Sequence, residues 1–354
     1  MEEPPRYCCV CFALPSRLLE HAARKAGGEH GARLMAHAAH SARLRGARAT
    51  KAAAAPLGLA GARAGKELQR IFDARNGTKV PGWVARKEGD GAADDQTVNH
   101  AYDNVGITLD FFAKVCGRRS LDGRGMRVDS TVHYRQGFAN AMWNGKQMLF
   151  GDGDGVNILG FAQSLDIVAH ELMHAVTQRM VPGGLGESHE GKKVTLTGQA
   201  GALNESFSDV FASMVKQWHG GEDVKKADWL LGEGVLAPHI GRAVRSLAEP
   251  GNTARTYDDD DQPGDMAGYV PGGDAHTNSG IPNHAFYLAA KALGGHSWER
   301  AGKIWFEALG QLHSRADFTD AASATDAAAA RLFGAGSKER EAVQAAWRKV
   351  KVIK

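Results

Sequence analysis

Asp166-Ile-Val-Ala-His170-Glu171-Leu-Met-His174-Ala-Val-Thr177 contains no Pro or Gly and has strong helical character. At helical pitch, residues i and i+4 share a face, so His170 and His174 can present imidazole nitrogens to one ion. Two such nitrogens and a third protein ligand leave Zn2+ one position for water. Glu171 projects beside the pair, near enough to take that water's proton. A buried helix with two hydrogen-bonded histidines would use the same residues, so the metal reading turns on a third ligand elsewhere.

Gly201-Ala-Leu-Asn-Glu205-Ser-Phe-Ser-Asp209-Val-Phe-Ala212 reads as a second helix. Glu205 and Asp209 are four apart and share a face. A metal ligand and a carboxylate behind it need that arrangement: Glu205 binds the ion, and Asp209 accepts the remaining ring N–H of a ligating histidine. Such a partner sets the tautomer and raises the basicity of the ligand. A solvated acidic face is the plainer alternative. Leu203, Phe207, Val210 and Phe211 around the pair argue for burial, and buried carboxylates need partners.

From about Ile71 to the C-terminus the chain resembles the thermolysin-like zinc metalloproteases (M4 type), and within them the short protealysin-like branch. The resemblance rests on Val132-His-Tyr, Asn140-Ala-Met-Trp143-Asn-Gly, Phe150-Gly-Asp-Gly-Asp-Gly155, His170-Glu-Leu-Met-His174, Gly201-Ala-Leu-Asn-Glu205-Ser-Phe-Ser-Asp209, Arg245-Ser-Leu and His276-Thr-Asn-Ser-Gly280-Ile. These blocks stand in the family's order, which is more specific than any one motif. The resemblance implies an α+β, two-lobed thermolysin-like zincin fold. A β-rich N-terminal lobe and an α-helical C-terminal lobe would enclose the cleft. The implied domains are a basic, Ala-rich pro-segment over 1–60, a β-rich lobe over 61–163 and a helical lobe over 164–354.

The implied function is a zinc-dependent neutral metalloendopeptidase made as a zymogen. By resemblance, His170, His174 and Glu205 bind one Zn2+, Glu171 is the proton acceptor, and His276 donates to the oxyanion. Asn140 and Ala141 match the edge-strand segment that pairs with a peptide backbone. Arg245 matches the arginine that holds a substrate carbonyl, and Ile167 with Val244 implies bulky hydrophobic residues after the cleaved bond. Trp143 reads as core rather than as a direct contact.

Three positions depart from the family. Leu196 stands where a tyrosine usually supplies a second oxyanion donor, about eleven extra residues surround Pro182-Gly-Gly-Leu-Gly-Glu-Ser-His-Glu-Gly, and Pro271 replaces an acidic residue. Asp274 is the nearest candidate to orient His276. At the family's double calcium site, Asp166, Asp228 and Glu233 remain, but Lys216 and Leu230 replace ligands. Calcium needs six to eight oxygens, so Lys216 is expected to take its place through ion pairs. The Asp258–Asp261 run reads as a solvated loop.

A net charge of +3 over 354 residues with 43% hydrophobic content describes a soluble globular chain without a membrane span. The Cys8–Leu14 apolar run is too short and wrongly flanked for a secretory signal. The default compartment is therefore cytoplasmic, whereas the resemblance implies secretion. Cys8, Cys9, Cys11 and Cys116 suggest no disulfide framework. Between Phe12 and Lys66 there are ten Lys/Arg against two Glu, but without the interleaved aromatics of a nucleic-acid arm. By resemblance, Cys11-Phe-Ala-Leu-Pro15-Ser-Arg-Leu-Leu19 looks like a pro-segment, with Thr50–Gly65 the processing region; because thiolate binds zinc well, a thiol such as Cys11 could block the open zinc position in the zymogen. Expected partners are protein or peptide substrates and a proteinaceous inhibitor, with no nucleic acid and no membrane. The competing expectation is a catalytically weakened relative that binds peptides or proteins in the same cleft.

Overall fold

The structure is a computed structural model that describes residues 13–39, 67–190, 193–196 and 198–354, with backbone alone at 187–190 and 193–196. Cys8, Cys9, Cys11 and the Thr50–Gly65 stretch lie outside the described residues.

Helix α1 (Ser16–Ala26) begins at Pro15, whose fixed φ suits a helix entrance, and buries Leu18, Leu19, Ala22 and Ala23. Residues 28–39 form α2. A mixed five-stranded sheet follows, built from β1 (Gln69–Asp73), β2 (Trp83–Lys87), β3 (Val128–Val132), β4 (Ala141–Trp143) and β5 (Met148–Phe150). Its order is β2-β1-β3-β5-β4. β1 runs parallel to β3 and β3 to β5, while β2 and β4 close the two edges antiparallel to their neighbours. The β4–β5 hairpin turns at Asn144-Gly145, where Gly145 takes φ +85 and Asn144 Oδ1 accepts the amides of Lys146 and Gln147. β4 is thereby an edge strand, with β5 as its one neighbour in the sheet among the described residues. Val80 reads as strand from its sequence, but it precedes Pro81, and β2 starts only at Trp83. Proline has no amide to give a ladder.

Between β2 and β3 runs α3 (Gln96–Cys116), capped by the Asp95 side chain on the Thr97 amide. The second half is helical: α4 (Leu165–Met180), α5 (Gly198–Gly220), α6 (Ala275–Asn278), α7 (Gly280–Leu293), α8 (Ala301–Leu309), α9 (Phe318–Phe333) and α10 (Lys338–Lys349). α8 is shorter than the 297–312 span its apolar period suggests. Two short pairs of strands punctuate it, β6 (Glu187–Glu190) with β7 (Lys193–Leu196) and β8 (Leu230–Leu231) with β9 (Arg245–Ser246). The last part of the Gly-rich stretch before α5, Glu187–Glu190, thus pairs as β6 with β7.

Asp166 to Thr177 of α4 and Ala200 to Val215 of α5 are buried without a break. A helix buried on every side must place its polar residues inside, where each needs a partner. That demand shapes the site. One apolar core runs through the whole described chain, from Leu14, Leu18 and Leu19 through Ile71 and Phe150 to Trp305 and Trp347.

Candidate active site

α4 and α5 bring three donor atoms face to face. His170 Nε2 and His174 Nε2 are 3.2 Å apart, and Glu205 Oε2 lies 3.4 Å from the first and 3.9 Å from the second. All three residues are buried, and they are the one group of potential metal ligands of this size among the described residues. Behind the rings, His170 Nδ1 lies 2.8 Å from Asp209 Oδ1, while His174 Nδ1 lies 2.8 Å from Asn204 Oδ1 and 3.1 Å from Ser208 Oγ. Partners of that kind take the proton on each Nδ1, which turns the Nε2 lone pairs inward beside a carboxylate oxygen. A set of converging acceptors suits a cation, and separations of about 3.3 Å are those of ligands about 2.0–2.2 Å from one tetrahedral Zn2+. The residues present therefore fit that metal.

Burial opposes charge on His170, yet Asp209 and Glu205 outweigh it and raise its pKa to about 9. Burial dominates at His174 and draws it down to about 4. Glu205 ionises well below the usual carboxylate range, since His276, His174 and His170 outweigh its burial. Burial likewise disfavours the Asp209 carboxylate, but Arg245 and His170 hold it at about 2. Glu171, also fully buried, is pushed up to about 8 by burial, against the pull of His170 and the Trp143 amide. A carboxyl poised near neutrality suits proton transfer in both directions.

The surrounding residues come from distant parts of the chain. Trp143 of β4 is core, and its backbone N–H donates to Glu171 Oε2 at 2.7 Å. His276, on α6, places Nε2 3.3 Å from Glu205 Oε2 and Nδ1 2.8 Å from Asp274 Oδ1. Asp274 also caps α6 through the His276 amide. Burial lowers the His276 pKa, but Glu205 and Asp274 raise it further, so it ends above its ordinary value. Arg245 on β9 donates Nη2 to Asp209 Oδ1 at 2.8 Å, and Asn283 Nδ2 donates to Asp209 Oδ2 at 2.9 Å. Asn204 and Ser208 lie inside the Gly201–Asp209 block but take no role from sequence alone, and Asn283 lies just beyond the His276–Ile281 block.

Ala13 and Leu14, from the start of the described chain, lie in this site. Ala13 donates its amide to the Ala141 carbonyl at 3.1 Å, alongside the free edge of β4. Leu14 donates its amide to Asn140 Oδ1 at 3.0 Å, and Asn140 Nδ2 donates back to the Leu14 carbonyl at 3.2 Å. Arg245 Nη1 reaches the Ala13 carbonyl at 3.5 Å. Ile167 and Val244, read as pocket lining, are both buried, and both would meet a Cβ placed on Gly232. Asn140, Ala141 and Arg245 thus hold one peptide segment, which is the chain's own.

Lys216 Nζ reaches Asp228 at 3.1 Å, Glu233 at 3.0 Å, the Leu230 carbonyl at 3.1 Å and Asp166 at 3.9 Å. The Asp258–Asp261 run, read as a solvated loop, keeps Asp258 and Asp261 exposed but is also engaged by the protein. Asp260 is buried, and its neighbours pair with α1. Nor does the described part of the basic arm stand free, because its apolar face joins the core.

Residues 62–178 match the family model described as thermolysin metallopeptidase, catalytic domain, and residues 193–352 the thermolysin metallopeptidase, alpha-helical domain. An extracellular metalloprotease of Pectobacterium carotovorum subsp. carotovorum is 45% identical over 301 residues, 82% of each chain. Protease PrtS of a Photorhabdus species is 42% identical over 251 residues, covering 68% of this chain and 64% of that one. The thermolysin of Bacillus caldolyticus is 36% identical over 292 residues, covering 79% of this chain but half of that relative. Among solved structures, the precursor of protealysin, a metalloproteinase from Serratia proteamaculans, superposes with a TM-score of 0.81 at 40% identity. It covers 97% of this chain and 100% of its own.

Proposed function

The chain belongs to the thermolysin family of metallopeptidases, and we propose that it is a zinc-dependent endopeptidase made as a zymogen, with His170, His174 and Glu205 as its metal ligands. The convergence of two imidazole Nε2 atoms and the Glu205 carboxylate, each 3.2–3.9 Å from the others, carries this reading. When bound, Zn2+ supplies the Lewis acid that polarises a peptide carbonyl and acidifies water.

The chain's own residues do the rest. Glu171 accepts the proton of the attacking water and returns it to the leaving amine. Its place one residue from His170 and the Trp143 amide that fixes its Oε2 support that role. His276 donates from Nε2 to the oxygen that gains negative charge, with Asp274 holding its ring from behind. Asp209 fixes His170 and Arg245 together. Asn140, Ala141 and Arg245 bind the backbone of the substrate on the side beyond the cleaved bond, a strand-addition mode that tolerates many sequences. Ile167 and Val244 favour hydrophobic residues there. With Leu196 in place of the tyrosine, His276 is the chief oxyanion donor.

Residues 1–60 act as the pro-segment, 61–163 as the β-rich lobe and 164–354 as the helical lobe. The hydrogen bonds that Ala13 and Leu14 make to Ala141, Asn140 and Arg245 support latency, since a substrate would need the same groups. Lys216 stands in for calcium among Asp166, Asp228 and Glu233. A relative named as extracellular supports secretion, and among the described residues no helix is long and apolar enough to cross a membrane. The test is hydrolysis of casein or a furylacryloyl dipeptide by the processed protein, with and without chelator. Activity indifferent to chelator, or none at full zinc occupancy, rejects the reading.

A further inference from the structure

The Asp258–Asp261 run points its carboxylates in two directions. Asp260 turns inward, where Oδ2 accepts from Thr256 Oγ1 at 2.7 Å and Oδ1 from the Gln262 amide at 3.2 Å. Gln262 Nε2 donates in turn to the His276 carbonyl at 2.5 Å. The loop is thereby pinned to the helical turn that carries His276. Asp258, Asp259 and Asp261 face outward. Every ion-pair partner found for these three among the described residues lies on α1. Arg17 pairs with Asp261, Arg24 with Asp259, His21 Nδ1 with Asp259 at 3.0 Å and Lys25 with Asp258 at 2.5 Å. A cationic peptide therefore occupies this surface.

The polarity of that peptide matters. Leu14 is held by Asn140 on both its backbone groups, and Arg17 is the third residue beyond it. A cavity of about 570 Å3, lined in part by Arg17, Glu20, Arg24, Asp261, Arg245 and His276, runs from the acidic loop to Arg245 and His276 of the site. Loss of α1 on maturation would remove every ion-pair partner that Asp258, Asp259 and Asp261 have among the described residues, leaving three carboxylates beside the cleft on its C-terminal side.

We propose that Asp258, Asp259 and Asp261 form a recognition surface for cationic segments of protein substrates, lying a few residues beyond the cleaved bond on its C-terminal side. The pro-helix is its first occupant, and basic stretches of substrates replace it in the mature enzyme. This inference rests on the endopeptidase reading. Exposed ion pairs are individually weak, but several fixed charges of one sign bias which chains enter and how fast, in a salt-dependent way.

The experiment uses the full chain after it has matured. Two quenched peptides share one cleaved core and differ downstream, one carrying Arg and Lys from the fifth residue after the cut and the other Glu. At low salt the basic-tailed peptide should show about tenfold higher kcat/KM, carried by KM, and the ratio should fall towards one in 0.5 M salt. The Asp258→Asn/Asp259→Asn/Asp261→Asn variant should show a ratio near one at low salt. A labelled peptide of residues 15–26 should also bind the matured protein by anisotropy, more weakly when it carries Arg17→Gln, Arg24→Gln and Lys25→Gln. Equal turnover of both tails by the wild type at low salt, or a preference that survives in the triple variant, overturns the proposal. If neither peptide is cut, the endopeptidase reading fails, and the anisotropy arm alone decides this one: salt-sensitive binding upholds it and none rejects it.

Discussion

Asp209 Oδ1 lies 2.8 Å from His170 Nδ1, and Arg245 donates to that same oxygen at 2.8 Å. One buried carboxylate thus partners the ring of His170, a proposed metal ligand, and anchors the guanidinium that reaches the Ala13 carbonyl. Asp209→Asn should weaken zinc binding by about 10–100-fold, as loss of such a partner generally does. It should also destabilise the fold by about 3–5 kcal/mol, because Arg245 is left buried without its counter-charge. Chelator competition measures the first effect and urea unfolding at saturating zinc the second.

Glu171→Gln keeps the shape of the side chain and removes its basicity. Turnover of the processed protein should fall by about 10²–10⁴-fold, while metal content by mass spectrometry stays at one zinc per chain. A variant that lost its zinc together with its activity would contradict the separation of these roles.

Helix α1 is held by packing as well as by charge. Leu18 and Leu19 are fully buried. Leu18→Ala/Leu19→Ala should cost about 2–5 kcal/mol per residue at the contact and detach α1. The uncut chain, verified by mass, should then hydrolyse a furylacryloyl dipeptide that the wild-type precursor leaves intact.

Lys216 is surrounded by Asp228, Glu233 and, farther off, Asp166. Wild-type melting should not respond to millimolar calcium. Lys216→Gln leaves the carboxylates facing one another and should lower stability by about 1–3 kcal/mol. Calcium should restore part of that loss in the variant, which thermal melts with and without the ion would show.

His133 sits between two carboxylates, with Nδ1 2.8 Å from Asp152 and Nε2 2.7 Å from Asp95. The Asp152 hydrogen bond, against burial and with help from Asp95, raises its pKa from 6.5 to about 9. A raised pKa in the folded state means that the charged form is the stabilising one. The contribution is therefore complete below pH 6.5 and fades as pH climbs through about 9. Urea unfolding at saturating zinc should reveal a loss on the order of 1 kcal/mol between pH 7 and 9.5. His133→Gln should flatten that slope.

Much of the fold can be read along the chain. The α4 span, the β4–β5 hairpin at Asn144-Gly145 and the helices after Gly280 follow from apolar period and turn chemistry, which act over a few residues. β2 shows the limit of that reading, because Pro81 moves the strand start to Trp83. The length of α8 depended on how its ends pack, which no local period encodes.

By itself, the sequence determined that His170 and His174 share a helical face and that Glu205 and Asp209 share another, because helical pitch alone makes those pairs neighbours. The order of the motif blocks likewise determined the family. Only the tertiary structure decided that the two faces meet, that Trp143 offers its amide to Glu171, that Asn140 and Arg245 close on Ala13 and Leu14, and that Asp258–Asp261 faces α1. Those partners lie from 28 to over 230 residues apart. No short-range preference brings such residues together. They are joined where burying one continuous apolar core fixes each element against the others, and where every polar group buried with it must then find a partner.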